Sequence, residues 1–75
     1  MADTVLDTRG LNCPLPVLKT RKALRTMAAG EILEVLASDP LSVIDLPAFC
    51  RESGNDLLDQ TQDGSVYRFV IRRAG

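Results

Sequence analysis

The sequence contains no histidine, and this absence removes several kinds of reactive site at once. A Cys-His or Ser-His nucleophile pair needs an imidazole, and most zinc sites in proteins use one as a ligand. A reactive cysteine in this chain would therefore have to be activated by the backbone dipole or by Lys and Arg side chains.

Aromatic residues are scarce: tryptophan is absent, and Phe49, Tyr67 and Phe69 are the aromatic side chains present. This argues against a surface that stacks nucleic-acid bases. The 9 basic and 10 acidic residues give a net charge of -1, which argues against a general polyanion binder. No apolar run is long enough to span a membrane, and residues 1–4 lack the basic and apolar regions of a signal peptide. We expect one small domain over residues 1–75, located in the cytoplasm.

Cysteine is also infrequent, with only Cys13 and Cys50 in the chain. A disulfide scaffold of this size usually has four or more cysteines, so both are interpreted as reduced thiols. Cys50 follows Phe49 on a predicted helix, which favours a buried structural role. The alternative is that Cys50 is a resolving thiol for Cys13.

The most informative stretch is the one around Cys13, which directly precedes Pro14, Leu15 and Pro16. Proline is favoured in the first turn of a helix, so we expect Pro14 at the first helical position and Pro16 in the same turn. Cys13 then lies at or next to the N-cap. Free N–H groups and the helix dipole would face its sulfur and stabilise the thiolate, making Cys13 a nucleophile near neutral pH.

Arg9 and Gly10 before Cys13, together with Pro14 and Pro16 after it, are candidates for supporting this site. Gly10 marks the turn after the first strand. Arg9 is either a second stabiliser of the thiolate or simply a turn residue. Asp7 either hydrogen-bonds the loop backbone or repels a nearby thiolate, and the sequence does not decide between these.

The remaining patterns predict the element order strand, helix, strand, helix, strand, strand. The predicted strands cover residues 4–7, 31–38, 56–62 and 66–72, and the predicted helices cover residues 14–28 and 40–53. Asp39 is the candidate N-cap of the second helix, and Pro47 predicts either a kink in it or a short turn before a separate helix. Right-handed crossovers would place both helices on one face of a four-stranded mixed sheet. The fold class is therefore an α/β two-layer sandwich.

These features together resemble the TusA (SirA-like) family of small sulfur carrier proteins. The resemblance covers essentially the whole chain in order and spacing, and its matching residues are Leu6-Asp7, Gly10-Leu11, Cys13-Pro14-Leu15-Pro16, Arg21-Lys22, Gly30-Glu31, Asp39-Pro40, Asp45-Leu46-Pro47, Phe49-Cys50, Asp63-Gly64 and Tyr67-Arg68-Phe69.

The resemblance implies that Cys13 accepts sulfane sulfur as a persulfide and passes it on in a relay. It implies a cysteine desulfurase or a rhodanese-like protein as donor, and a DsrE-like or TusBCD-like protein as acceptor. The sulfur would serve thiolation of the tRNA wobble uridine, cofactor supply or dissimilatory sulfur oxidation. Such a carrier needs no metal or organic cofactor, and we expect a monomer without stable nucleic-acid binding. Whether a sulfurtransferase-type carrier that is modified and restored counts as an enzyme is a matter of definition.

The resemblance also assigns partner-docking residues on the first helix and beyond it. Arg21, Lys22 and Arg25 resemble the basic face that docks the donor, and Asp39 resembles an acidic position near the partner surface. From the residues alone, the basic run is equally well a solvated face, and Asp39 is more simply a helix cap.

Two other classes of function stay open at this point. A thiol redox protein would pair Cys13 with Cys50, although the chain lacks a C-x-x-C motif. A regulatory or RNA-binding module could use the same fold, on fold-level analogy alone. The scarcity of aromatics and the net charge count against this last class.

Overall fold

A computed structural model of the chain describes residues 2–75 as four strands and two helices. The bounds in chain order are β1 Thr4–Thr8, α1 Leu15–Arg25, β2 Ile32–Ala37, α2 Ser42–Ser53, β3 Asp56–Asp63 and β4 Val66–Arg72. The predicted order of elements is confirmed. Neither helix of the described residues is long and apolar enough to cross a membrane.

The four strands form one mixed sheet in the order β1-β2-β4-β3. β1 pairs with β2 in parallel, whereas β4 is antiparallel to both β2 and β3. Because β1 and β2 run side by side in the same direction, their carboxyl ends meet at one edge of the sheet. α1 follows β1 and α2 follows β2, so both helices begin at this edge, where ligand and reaction sites commonly form in α/β folds.

Alternating burial along β2 shows which face of the sheet carries the helices. Leu33, Val35 and Ala37 are fully buried, and the first two pair with Ile71 and Phe69 of β4. They form one core with residues from both helices: Leu24 and Met27 from α1 and its following turn, and Leu46, Phe49 and Cys50 from α2. Both helices thus cover the same face, and the predicted two-layer α/β sandwich is confirmed.

The opposite face of the sheet is held by charged pairs across neighbouring strands. Arg68 of β4 lies between Glu34 of β2, at 3.0 Å, and Asp59 of β3, at 3.7 Å. Charged cross-strand neighbours are typical of a sheet face that is not packed against another layer. The reactive chemistry must therefore be sought on the helical side.

Both helices begin later than the sequence pattern indicated. The N-cap of α1 is Pro14, so Leu15 is the first helical residue and Pro16 the second. Before α2, the amides of Ser42 and Val43 donate to the carbonyls of Asp39 and Pro40 at 2.9 and 3.2 Å. These three-residue spacings form a tight turn, so the regular helix is delayed to Ser42.

The other local signals have mixed outcomes. α1 ends at Arg25 rather than near residue 28, since Thr26 and Met27 already donate to carbonyls three residues back. α2 continues through Pro47 as one helix, so the separate second helix is wrong. The hairpin at Asp63 and Gly64 joins β3 to β4 as predicted.

Candidate functional site

Cys13 lies exposed in the loop between β1 and α1, one residue before the N-cap of α1. This is the predicted position beside the helix start. The loop reverses at Gly10, whose φ of 84° is in the region that favours glycine. The Gly10 amide donates to Ser38 Oγ at 2.8 Å. The loop is thereby fixed to the segment that joins β2 to α2, and Gly10 lies in a turn after the first strand, as predicted.

Two carboxylates, one from the turn before α2 and one from the first turn of α2, hold Cys13 in place. The Cys13 backbone N–H donates to Asp39 Oδ2 at 2.7 Å, and the Cys13 thiol donates to Asp45 Oδ2 at 2.9 Å. The other oxygen of Asp39 accepts the Leu41 N–H at 3.1 Å. Asp39 thus links the turn before α2 to the reactive loop, while Asp45 contacts the sulfur itself.

The electrostatic environment of Cys13 is the opposite of the one predicted from the helix start. The hydrogen bond to Asp45 raises the pKa of the Cys13 thiol above its ordinary value, and desolvation and the charges of Asp45 and Asp39 act in the same direction. A nearby anion disfavours the thiolate, since two like charges would then lie in contact. The predicted stabilisation of a resting thiolate is therefore wrong, because the groups around the sulfur favour its thiol form.

The two prolines explain why the helix start does not compensate for these carboxylates. Pro14 and Pro16 have no N–H to offer, and the Leu15 N–H between them donates to the Asn12 carbonyl at 2.8 Å. The residues that position the helix therefore also remove or occupy donors that would otherwise face the sulfur. Asp45 is instead the partner of the thiol.

Arg9, the predicted second stabiliser, is engaged elsewhere. Its guanidinium makes two hydrogen bonds to the Asp7 carboxylate, at 2.9 and 2.8 Å, and its backbone N–H donates to the same carboxylate at 3.0 Å. The side-chain hydrogen bond from Arg9 lowers the pKa of Asp7 to about 2. Asp7 therefore bonds the loop backbone, which resolves the alternative left by the sequence. Arg9 shapes the turn rather than the charge on the sulfur.

A groove between α1 and α2 begins at Cys13. Its cavity of about 350 Å³ is lined by Cys13, Pro14, Val17, Arg21, Asp45, Ala48, Phe49 and Glu52. Arg21 lies over the Phe49 ring at 5.6 Å from the ring centre, a cation–π distance. The groove thus contains the Arg21 guanidinium, the Asp45 and Glu52 carboxylates and several apolar side chains, together with the exposed Cys13 sulfur.

The predicted docking residues lie along the same side of the molecule. Arg21 and Arg25 line a second cavity of about 360 Å³, which continues beyond Phe49 and also includes Arg73. Arg21, Lys22 and Arg25 are all exposed. Asp39 is partly buried and bonded to the Cys13 backbone, so its local role is to position the loop.

Cys50 lies in a different environment from Cys13. It is only 3% exposed and packs in the core on α2, and both cysteines are free thiols. Burial raises the pKa of Cys50, with a smaller contribution from the charge of Asp56. The buried structural role predicted for Cys50 is thus the one that its packing supports.

Sequence reasoning did not identify Asp45 as a site residue, although the signal was present. Asp45 lies in the first turn of α2, and the predicted strand-helix-strand crossovers imply parallel strands, which bring both helix starts to one sheet edge. An acidic residue there was the natural neighbour of a cysteine at the other helix start. The contact joins residues 32 positions apart, which local patterns do not report.

Comparisons with known proteins agree with this architecture. A family model described as Sulfurtransferase TusA matches residues 4–73. The chain is similar to a protein named Sulfur carrier protein TusA from Allochromatium vinosum, with 43% identity over 72 residues, covering 96% of this chain and 95% of that protein. A crystal structure of a SirA-like protein from Desulfitobacterium hafniense superposes with a TM-score of 0.83 at 26% identity, covering 96% of this chain and 99% of that one.

Proposed function

Because this chain belongs to the TusA sulfurtransferase family, we propose that Cys13 carries sulfane sulfur as a persulfide between a donor protein and an acceptor protein. The observation that carries the assignment is the exposure of Cys13 at the mouth of the groove, in contrast to the buried Cys50. A carried sulfur has to be reached by two successive protein partners. Only the sulfur of Cys13 has that access without unfolding.

The chemistry requires no group beyond the cysteines of the partners. The Cys13 thiolate attacks the outer sulfur of a donor persulfide, and the donor cysteine leaves. An acceptor thiolate later attacks the same outer sulfur and restores Cys13. The proposed donor is a cysteine desulfurase or a rhodanese-like protein, and the proposed acceptor is a DsrE-like or TusBCD-like protein. The delivered sulfur would serve tRNA wobble-uridine thiolation, cofactor supply or dissimilatory sulfur oxidation.

The surface around Cys13 is suited to such transient contacts. Leu15 and Leu18 in the first turns of α1, and Leu41 and Ile44 at the start of α2, are large apolar side chains left exposed. Exposed apolar side chains near the two helix starts are available for contact with a protein partner. Arg21, Lys22 and Arg25 supply positive charge on α1, so the part of the donor that meets this helix is proposed to be acidic.

Intact-protein mass spectrometry after incubation with a cysteine desulfurase and cysteine tests this function. We expect the parent protein to gain one sulfur atom that reductant removes. Cys13→Ser should gain none. Cys50→Ala, the matched control, should gain sulfur as the parent does, because alanine can replace a buried thiol without introducing a polar group.

The other outcomes would each contradict the proposal in a distinct way. Loss of loading in both variants would indicate a redox pair of the two cysteines. Sulfur on Cys13→Ser would place the persulfide on Cys50. If no variant gains sulfur, from a desulfurase or from a rhodanese-like donor, the carrier role is wrong.

A further inference from the structure

Resting on the proposed persulfide role of Cys13, we propose that Asp45 is a gating residue that holds the Cys13 thiol inactive until a donor protein places a lysine or arginine side chain against its carboxylate. The partner class is therefore a donor whose persulfide cysteine lies beside a cationic side chain. The restraint makes sulfur loading depend on docking and protects the empty carrier from small reactive molecules.

The geometry of the resting site supports the first half of this proposal. The Cys13 thiol donates to Asp45 Oδ2 at 2.9 Å, and both groups are accessible at the groove. Since the thiolate is the nucleophile in sulfur exchange, a thiol held by a carboxylate reacts slowly. The raised pKa of Cys13, caused first by this hydrogen bond, agrees with that reading.

The charges facing Cys13 explain why the release has to come from a partner. The charged groups that act on Cys13 are Asp45 from α2 and Asp39 from the turn before α2. Glu52 from α2 and Arg21 from α1 line the same groove without a hydrogen bond to the sulfur. Arg21 lies over Phe49, and the nearby Arg9 is paired with Asp7. Among the described residues, the two carboxylates that act on the sulfur therefore have no paired cation. A cation from the donor would satisfy Asp45 and reverse the main cause of the restraint.

The transfer step balances without an oxidant or a reductant. When the donor cation pairs with Asp45, the Cys13 thiol gives up its proton and the thiolate attacks the outer sulfur of the donor persulfide. A new S–S bond forms to Cys13 as the donor S–S bond breaks. The donor cysteine leaves as a thiolate and takes up one proton, which replaces the one that Cys13 lost. The outer sulfur moves without a net gain or loss of electrons.

The first arm of the test measures alkylation of Cys13 by iodoacetamide across a pH series. Asp45→Asn keeps the side-chain shape and removes the charge, so we expect the alkylation profile to move to lower pH. At neutral pH the alkylation rate of Asp45→Asn should exceed that of the parent by about threefold for each pH unit by which the profile moves. The increase is less than tenfold per unit because a more acidic thiol is intrinsically less nucleophilic. Glu52→Gln is the matched control, because Glu52 lines the same groove but makes no hydrogen bond to the sulfur. The alkylation profile of this variant should match that of the parent.

The second arm compares two sulfur donors with the same variants. An alkyl persulfide without a cationic group cannot pair with Asp45, so Asp45→Asn should load faster from it, in proportion to the alkylation gain. A cysteine desulfurase already pairs a cation with Asp45 in the parent protein. Asp45→Asn should therefore load from the desulfurase no faster than the parent does. The ratio of protein-donor to small-donor rates should therefore fall in Asp45→Asn and stay unchanged in Glu52→Gln.

Two results would overturn the gate while leaving the carrier role intact. An unmoved alkylation profile would mean that Asp45 does not hold the thiol, and equal acceleration with both donors would mean that docking does not release it. Thermal midpoints confirm that each variant is folded, and Asp45→Ser is a second variant if the asparagine is unstable. A parent protein that gains sulfur from neither donor would instead overturn the carrier role itself.

Discussion

The two cysteines of this chain lie in contrasting regions, and their raised pKa values have different causes. Cys13 lies in an exposed loop, where a hydrogen bond to the Asp45 carboxylate is the largest cause. Cys50 lies in the core, where desolvation is the largest cause. A partner that binds Asp45 can reverse the first effect, whereas only opening of the core reverses the second. A raised pKa therefore marks a thiol that a partner can activate at Cys13 and an unreactive thiol at Cys50.

The largest expected difference is in the rate of chemical modification of the two thiols. Cys50 can react only after the core opens, so with an opening free energy of about 4 kcal/mol it should react about 10³-fold more slowly than if it were exposed. Cys13 needs no opening. Peptide mass spectrometry after timed alkylation in native buffer measures both rates, and in concentrated urea the two rates should converge.

A rate for Cys50 within about tenfold of the Cys13 rate in native buffer would break the comparison. It would mean that α2 opens readily and that Cys50 is available as a second reactive thiol.

A smaller difference is expected in stability when each cysteine is replaced by serine. Cys50→Ser buries a hydroxyl in an apolar core and should lower the free energy of unfolding by about 1–3 kcal/mol. Cys13→Ser is an exposed change and should stay within about 0.5 kcal/mol of the parent. Urea denaturation followed by circular dichroism gives both values. Equal losses for the two variants would show that the Cys13 loop contributes more to the fold than its exposure suggests.

The smallest effect concerns the charges that guide a partner to the exposed region. Replacing Arg21, Lys22 and Arg25 together by alanine should slow loading from a cysteine desulfurase by about tenfold at low salt, because exposed charges each contribute modestly. The difference should shrink at high salt, where such charges are screened. Mass spectrometry of samples quenched at timed intervals, at two salt concentrations, measures this change in loading rate.

The matched control for that variant is the double replacement of Arg68 and Arg72 by alanine on the other side of the sheet. It should load as the parent does, and neither variant should change the protection of Cys50. If the triple variant loads at the parental rate at low salt, the docking surface lies elsewhere.

Much of the fold could be predicted because its signals are local. The existence of β2 follows from its apolar run and that of α1 from the spacing of its apolar residues, and the hairpin at Asp63 and Gly64 follows from turn chemistry. The bounds of α2 could not be predicted to the residue. The turn at Asp39 and Pro40 competes with the helix for the same amides, and backbone hydrogen bonding decides that competition.

The candidate site was predicted in position but not in electrostatics. Cys13 was expected beside a helix start, and it lies there. The sign of its pKa shift was wrong, because the helix start was considered without the side chains that other elements bring to it. Asp45 reaches the sulfur from α2, and Arg9 is diverted to Asp7.

The sequence by itself determined the order of elements, the sandwich architecture and the one cysteine beside a helix start, since each depends on periodicity and on proline and glycine placed nearby in the chain. Only the tertiary structure decided that the groups around this sulfur favour its thiol form. The parallel pairing of β1 with β2 brings the two helix starts to one sheet edge, and there residues 32 positions apart form a hydrogen bond. The physical reason is that the charge state of a thiol depends on distance in space to other charges, and that distance is set by how the strands pair.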